Sequence, residues 1–105
     1  MDARVVLITY PEQAETPAQA FARQLVEQGL AACVNLAPVT SVYRWQGRVE
    51  QDREVLLIVK TRRQDLEVLE RFVHEHHPYT VPEFVVLTPE HVAPAYLKWL
   101  LEPGS

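Results

Sequence analysis

The chain has 105 residues, of which 48% are hydrophobic and 23% are charged, and its formal net charge is −4. This is the size and composition of one ordinary globular domain, so we expect residues 1–105 to form a single domain. The ten lysines and arginines are outnumbered by fourteen acids, which argues against a nucleic-acid partner because phosphate binding requires a basic surface. No apolar stretch approaches the ~20 residues of a membrane span, and the single cysteine favours a reducing, cytoplasmic location, so we expect no membrane partner.

The first two predicted elements are a strand and a helix. Residues 4–10 read Arg-Val-Val-Leu-Ile-Thr-Tyr, a β-branched run of the kind found in central or doubly covered strands. Thr16 and Pro17 then supply an N-cap hydroxyl and a first-turn proline, and apolar residues recur at helical spacing to about Gln28. Gly29 is predicted to close this helix as the C′ residue.

A long β-hairpin is predicted next. Two β-prone runs, Cys33 to Trp45 and Arg48 to Thr61, flank Gln46 and Gly47, and glycine accepts the positive φ that a tight hairpin turn requires. Each arm is about twice the usual strand length of ~5–6 residues. The tip of the hairpin is therefore expected to project beyond the sheet, and its aromatic side chains are expected to find a partner.

The turn also predicts how the two arms face one another. By this register Cys33 lies opposite Lys60 at the far end of the hairpin. Pro38 cannot donate to a ladder and therefore predicts a bulge or an edge position near Ala37 and Pro38 that would shift that pair. In the second arm, the apolar inner half is expected to be buried, and the charged outer half, residues 50–54, is expected to face water.

Three further elements complete the chain. A capping-box pattern at Thr61 to Gln64 starts a second helix, which ends before Pro78. Val81 to Thr88 is predicted as a fourth strand, and Ala95 to Leu101 as a short C-terminal helix.

This order of elements predicts the fold. Two right-handed crossovers place both long helices on one face of a four-stranded antiparallel sheet. We therefore predict an α+β fold: a ferredoxin-like βαββαβ sandwich with a long β2–β3 hairpin and a short C-terminal helix. The other face of the sheet has no cover from its own chain, which favours self-association.

The histidines and the cysteine are candidate metal ligands. His74 and His76 lie in the second helix and are interpreted as solvated residues without a specific ligand. His77 stands at the helix end, where it can point toward whatever the next loop encloses. Cys33 is either a small buried residue or a soft ligand for copper(I).

A charged pair and three aromatic residues are candidate binding groups. Lys60 and Glu83 are expected to approach one another at one end of the sheet, and a plain salt bridge is favoured over a substrate-binding pair. Tyr43, Trp45 and Tyr79 suit either a pocket or an interface. We favour an interface for Tyr43 and Trp45.

The sequence offers no catalytic constellation. No nucleophile has a base partner that the sequence reveals, and the chain's three glycines do not form a phosphate-binding loop. An acylphosphatase-type enzyme on this topology would need a basic anion-binding loop after the first strand, where residues 10–15 are acidic instead. We therefore expect no enzymatic activity.

Three motifs resemble those of the divalent-cation tolerance proteins of the CutA family. They are Leu30-Ala-Ala-Cys-Val-Asn35, then Ser41-Val-Tyr-Arg-Trp-Gln-Gly47 followed by Glu54-Val-Leu-Leu-Ile-Val-Lys-Thr61, and finally His77-Pro-Tyr-Thr-Val-Pro-Glu83. The resemblance implies a ferredoxin-like subunit in a tight homotrimer, similar in shape to the PII signalling proteins. It also implies tolerance to copper or another divalent cation, with no tightly bound cofactor.

The resemblance carries over to individual positions. It implies metal ligands at Cys33, His77 and Glu83. It implies a cleft or ligand-binding role for Lys60, Tyr79 and Trp45, and a trimer interface formed by Tyr43, Trp45 and Arg48. Neither His74 nor His76 belongs to the family's motifs.

Two functions follow as hypotheses. The first is a trimeric divalent-cation tolerance protein that binds copper or other divalent metal ions without catalytic turnover. The alternative is a PII-like signalling module that binds a small metabolite or a protein partner in the clefts between subunits. Metal binding that weakens as the pH falls through ~6.5, where histidine takes up a proton, would favour the first.

Overall fold

A computed structural model describes residues 1–102. The elements in chain order are β1 (Ala3–Pro11), α1 (Ala18–Glu27), β2 (Cys33–Trp45), β3 (Arg48–Arg62), a 3₁₀ turn (Arg63–Asp65), α2 (Leu66–His76), β4 (Val85–Leu87) and α3 (Pro94–Leu101). The strands pair antiparallel in the order β2-β3-β1-β4. The predicted α+β fold with a four-stranded antiparallel sheet is confirmed.

The core lies between one face of the sheet and the two long helices. Alternate side chains of β1 and β3 are buried, as the period of two in a strand requires, and they meet residues at helical spacing on α1 and α2. Each such burial stabilises the fold by roughly 1.5–3 kcal/mol. The largest contributors include Val6, Ile8, Tyr10, Leu57 and Val59 from the strands and Phe21, Leu25, Leu69 and Val73 from the helices.

The hairpin has the predicted bounds in β2, and its register is continuous from the turn to the pair Cys33–Lys60. The predicted edge position of Pro38 is confirmed, while a bulge there and the shift of the pair Cys33–Lys60 are wrong, because Pro38 pairs in register with Val55. The physical reason is that β2 is the edge strand, where a missing N–H can face away from the sheet without loss of a ladder bond.

The tip of the hairpin projects beyond the sheet, as predicted. The pairing of β1 with β3 ends at Pro11 and Glu54, so residues 40–53, which we call the hairpin tip, pair only with each other. Gln46 and Gly47 have φ of 49° and 79°, the two positive values of a type I′ turn, whose twist matches that of the strands.

The C-terminus of α1 closes as the sequence predicts. Gly29 has a φ of 73°, and its N–H donates to the carbonyl of Val26 at 3.0 Å. The N–H of Leu30 donates to the carbonyl of Leu25 at 2.9 Å. These two bonds form a Schellman motif, which satisfies carbonyls that the helix end would otherwise leave unpaired.

Both predicted N-caps are wrong. Pro17 is itself the N-cap of α1, with no side-chain capping bond, and Thr16 instead accepts a hydrogen bond at its carbonyl from the Tyr10 hydroxyl at 2.6 Å. Thr61 remains in β3, where its buried hydroxyl donates to the carbonyl of Leu30 at 2.8 Å. The hydroxyl of Thr61 satisfies a buried carbonyl from a distant part of the chain, a partner that a local pattern does not reveal.

The fourth strand is shorter than predicted. It covers only Val85–Leu87, which pair with residues 5–7 of β1. Residues 78–83 form an irregular loop instead, because Pro82 cannot donate to a ladder. We call these six residues the α2–β4 loop.

The second face of the sheet carries apolar side chains. By the register, Leu7, Ile58 and Val85 share this face, and Val85 is 45% exposed. The helix α3 contacts β1 and β3. We call the uncovered apolar part of this surface the open face. Among residues 1–102, no helix has both the length and the apolar character to cross a membrane.

Candidate functional site

A cavity of about 790 Å³ lies between the hairpin tip and the α2–β4 loop. Its lining comes from four places in the chain that the fold brings together. These are Thr9 of β1, Ser41, Val42, Tyr43 and Trp45 of β2, Glu54 of β3, and all six residues of the α2–β4 loop.

His77 holds the α2–β4 loop in place. It is only 7% exposed and adopts extended backbone (φ −77°, ψ 140°) as the C-cap of α2, the region that a following proline favours. Its Nε2 lies 2.7 Å from the carbonyl of Thr9, and its Nδ1 accepts a hydrogen bond of 3.0 Å from the N–H of Tyr79.

These two contacts determine the protonation state of His77. A carbonyl only accepts and a backbone N–H only donates, so Nε2 carries the proton and the ring is neutral. Burial lowers the pKa of His77, while the bond to Thr9 and the charge of Glu54 act in the opposite direction. Both ring nitrogens are therefore engaged within the chain, and His77 acts as an anchor of the loop.

Tyr79 and Glu54 form the inner wall of the cavity. The Tyr79 hydroxyl donates to Oε2 of Glu54 at 2.7 Å, and burial, followed by that hydrogen bond, raises the pKa of Tyr79 far above 10. Glu54 is only 6% exposed. Within residues 1–102 no buried side-chain oxygen or nitrogen lacks a hydrogen-bond partner, and Glu54 lines the cavity.

A second carboxylate lies at the mouth of the cavity. Glu83 is exposed, and partial burial, together with the charge of Glu54, raises its pKa. The cavity lining contains no lysine or arginine. The negative charge of these two carboxylates therefore has no basic counterpart inside the cavity.

Tyr43 adds a polar aromatic group from the hairpin tip. Its hydroxyl donates to the carboxylate of Asp52 on the facing strand. This hydrogen bond is the main cause that raises the pKa of Tyr43 to about 12. The cavity is thus acidic and aromatic, and it is suited to hold a positively charged group.

The structure separates the three residues implied as metal ligands. Cys33 and Lys60 face one another at the level of Val5, six residues along β3 from Glu54, which is roughly 20 Å in a strand. Residues 1–102 contain no group of three or more His, Cys, Asp or Glu side chains arranged to hold a metal. Cys33, His77 and Glu83 therefore do not form a joint site within one chain.

The expected contact between Lys60 and Glu83 is not formed. The amino group of Lys60 donates to the side chain of Asn35, and Lys60 does not line the cavity. Val5 of β1 is level with Lys60 near the end of β3 and with Leu87 at the end of β4, whereas Glu83 precedes the start of β4. The expectation was wrong because β3 and β4 both pair antiparallel with β1 and so run in the same direction, which places the end of β3 and the start of β4 at opposite ends of the sheet.

The remaining candidates lie on the surface or at the tip. His74 and His76 are exposed on α2, at 3.6 Å and 3.9 Å from the carboxylates of Glu70 and Glu75. Trp45 lines the cavity and pairs with Arg48 beside the turn.

Sequence reasoning missed Glu54 as a site residue. The charged pattern of residues 50–54 predicted that Glu54 faces water, and this is wrong because Glu54 pairs with Pro11, where β1 and the α2–β4 loop still cover β3. One feature of the sequence could have indicated its burial: Glu54 is the last charged residue before a long apolar run. Such a boundary residue can be buried when a distant donor such as Tyr79 pairs with it.

The fold and the cavity define a ferredoxin-like α+β domain with a projecting hairpin and an acidic, aromatic binding cavity. Residues 4–103 match the family model described as "CutA1 divalent ion tolerance protein". The chain belongs to this family, which confirms the resemblance seen in the three sequence motifs.

Individual relatives agree with this assignment. The chain is 50% identical over 99 residues to the divalent-cation tolerance protein CutA of Thermus thermophilus, covering 93% of this chain and 94% of that protein. A solved structure of the Thermus thermophilus divalent cation tolerance protein superposes with a TM-score of 0.89 at 48% identity, covering 98% and 99% of the two chains. A structure described as a PII-like protein CutA from Nostoc superposes with a TM-score of 0.85 at 37% identity, covering 93% of each chain.

Proposed function

We propose that the protein is a homotrimeric, non-catalytic cation-binding member of its family, and that the cavity is its binding site. One observation carries the proposal: Glu54 and Glu83 face the same cavity, and no lysine or arginine lines it. The family description, divalent ion tolerance, agrees with a cation as ligand. A cytoplasmic location belongs to the same proposal and is supported by the single free cysteine.

Copper and other divalent ions are the first ligands to consider. Carboxylate oxygens bind divalent ions, and copper(II) has the highest affinity of the first-row series. An ion between Glu54 and Glu83 would offset the charge of Glu54, which adds to the effect of partial burial in raising the pKa of Glu83. In this proposal Cys33 joins the ligand set only through a neighbouring subunit, because one chain does not bring the implied ligands together. His77 holds the loop and not the ion, because both of its ring nitrogens are hydrogen-bonded within the chain.

Calorimetric titration with copper(II) and zinc tests the cation site. We expect saturable binding to the wild type and binding at least roughly tenfold weaker to Glu83→Gln, because one of two charged ligands is lost. Glu90→Gln is the matched control, since Glu90 is an exposed carboxylate outside the cavity lining. Absence of saturable binding, or equal binding by Glu83→Gln, would contradict the proposal.

The homotrimer is proposed from the open face and the hairpin tip. Val85 and Leu87 are 45% and 46% exposed on a sheet face whose apolar side chains gain stability when a second copy covers them. Trp45, Tyr43 and Arg48 lie beyond the sheet on the hairpin tip, where a neighbouring subunit can reach them. Light scattering should give three times the chain mass, and a monomer mass would contradict the trimer.

A PII-like module that binds a small metabolite is the second candidate. The observation that favours it is the size of the cavity, about 790 Å³, which is in the range of small-molecule pockets and far larger than an ion requires. A thermal-shift screen tests it, because a ligand at 100 times its dissociation constant adds ~2.7 kcal/mol of stability. The same PII-like module would alternatively bind a protein partner in this cleft.

A further inference from the structure

We propose that the cavity selects an organic ammonium cation, a ligand class whose positive charge is held by two carboxylates and the faces of aromatic rings. This inference rests on the proposal that the cavity is a ligand site, and it specifies the chemistry of the ligand. Three independent properties of the cavity support it: its charge, its rings and its volume.

The charge of the cavity favours a cation. Glu54 lines the cavity and is only 6% exposed. Its Oε2 accepts a hydrogen bond from the hydroxyl of Tyr79. Glu83 adds a second carboxylate to the same lining, which contains no lysine or arginine. An opposite charge nearby favours the ionised form of a carboxyl group, so an incoming cation supplies the charge partner that the lining lacks.

The rings favour an organic cation over a metal ion. Trp45, Tyr43 and Tyr79 line the cavity. Aromatic faces attract ammonium groups through the ring quadrupole, and tryptophan does so most strongly. A metal ion gains little from such rings, because it prefers oxygen, nitrogen or sulfur ligands.

The volume favours a ligand with a carbon body. A cavity of about 790 Å³ leaves most of its space empty around a single ion, whereas an ammonium with organic substituents also buries apolar surface against Val42, Val81 and Pro82. Such burial contributes to the binding free energy in proportion to the apolar area removed from water.

A matched pair of probes isolates the charge. Choline and 3,3-dimethyl-1-butanol have the same shape, and only choline carries a positive charge. Both are titrated into the assembled protein carrying Trp99→Phe, so that Trp45 is its single tryptophan and reports binding by fluorescence. We expect saturable quenching by choline and binding of the alcohol weaker by roughly tenfold, the scale of a desolvated cation–π contact combined with a carboxylate contact.

Variants in the same background locate the site. Glu83→Gln should weaken choline binding by roughly fivefold or more, while Glu90→Gln should bind as the parent does. Trp45→Leu, measured by calorimetry at a concentration where light scattering shows the same assembly as the parent, should also lose roughly fivefold or more. Equal binding of choline and the alcohol, no saturable binding of choline, or full binding by Glu83→Gln would overturn the ammonium assignment.

The outcome separates this inference from the proposal on which it rests. If copper(II) or zinc binds in a Glu83-dependent manner and choline does not, the cation site stands and the ammonium assignment fails. If neither metal ions nor choline bind, both fail. If choline binds with the expected dependence on charge and on Glu83, the ammonium assignment is supported; if copper(II) and zinc then fail to bind, the cavity remains a cation site and only its divalent-ion form fails.

Discussion

The hydroxyl of Tyr79 lies 2.7 Å from Oε2 of Glu54 and donates a hydrogen bond to it. This bond joins the α2–β4 loop to β3 at the point where β1 ends, and it closes the inner wall of the cavity. Glu54 is almost fully buried and has no lysine or arginine partner within residues 1–102. The hydrogen bond from Tyr79 therefore stabilises the buried carboxylate and also holds the α2–β4 loop against β3.

Removal of that hydroxyl should destabilise the protein. Tyr79→Phe leaves a buried carboxylate without its donor, and we expect the free energy of unfolding to fall by about 1–3 kcal/mol. Urea denaturation measures the change. Tyr96→Phe is the control, because Tyr96 is an exposed tyrosine on α3 that stacks on Trp99. Equal losses in the two variants would show that the Tyr79–Glu54 bond contributes nothing specific.

His77 should make stability depend on pH. Its pKa is lowered in the folded state, so the unfolded chain takes up the proton first as the pH falls below about 6.5. The free energy of unfolding should therefore decrease from pH 7 toward pH 5 and level off only below the folded-state pKa. His77→Gln should reduce this slope, while His91→Gln, at an exposed position, should retain it. An unchanged slope in His77→Gln would contradict the role of His77.

The type I′ turn gives a prediction about the hairpin tip. Gly47 has a φ of 79° and Gln46 a φ of 49°. Gly47→Ala should destabilise the protein by about 1 kcal/mol, because a Cβ is unfavourable in the left-handed region. Gln46→Asn should stabilise it by about 0.5 kcal/mol, since asparagine tolerates that region better. Thermal unfolding of both variants measures whether Gly47→Ala loses stability and Gln46→Asn gains it. A loss of stability in Gln46→Asn would contradict the turn type.

The hairpin tip should contribute to assembly. The double variant Tyr43→Ala with Trp45→Ala is expected to weaken the proposed trimer, so that its mass falls toward that of the monomer on dilution. Light scattering over a concentration series measures this. Val49→Ala is the control, because Val49 is 68% exposed and pairs with Arg44, on the opposite face of the tip from Tyr43. Equal dissociation of both variants would argue against a specific interface.

The fold could be predicted because its signals are local. The period of two in β1 and β3, the turn at Gln46 and Gly47, and the closing Gly29 each depend on neighbouring residues only. The two errors at the helix N-termini have a different origin. The hydroxyl of Thr61 was assigned to a local cap, but the structure directs it to the carbonyl of Leu30, 31 positions away.

The site was harder to predict because its members meet only in the folded chain. Tyr79 and Glu54 are separated by 25 positions, and the burial of Glu54 depends on where β1 stops. The sequence singled out Trp45, Tyr79 and Glu83 by type and motif, and the structure places all three in the lining of one cavity. It placed Lys60 beside Glu83 in error, because β3 and β4 run in the same direction beside β1, so the end of β3 and the start of β4 lie at opposite ends of the sheet.

The cavity as a divalent-cation site is tested most directly by crystals soaked with copper(II) or zinc and measured at the absorption edge of the metal. The account predicts an anomalous peak in the cavity, within bonding distance of the carboxylates of Glu54 or Glu83. Peaks confined to the surface histidines His74, His76 and His91, with none in the cavity, would contradict it.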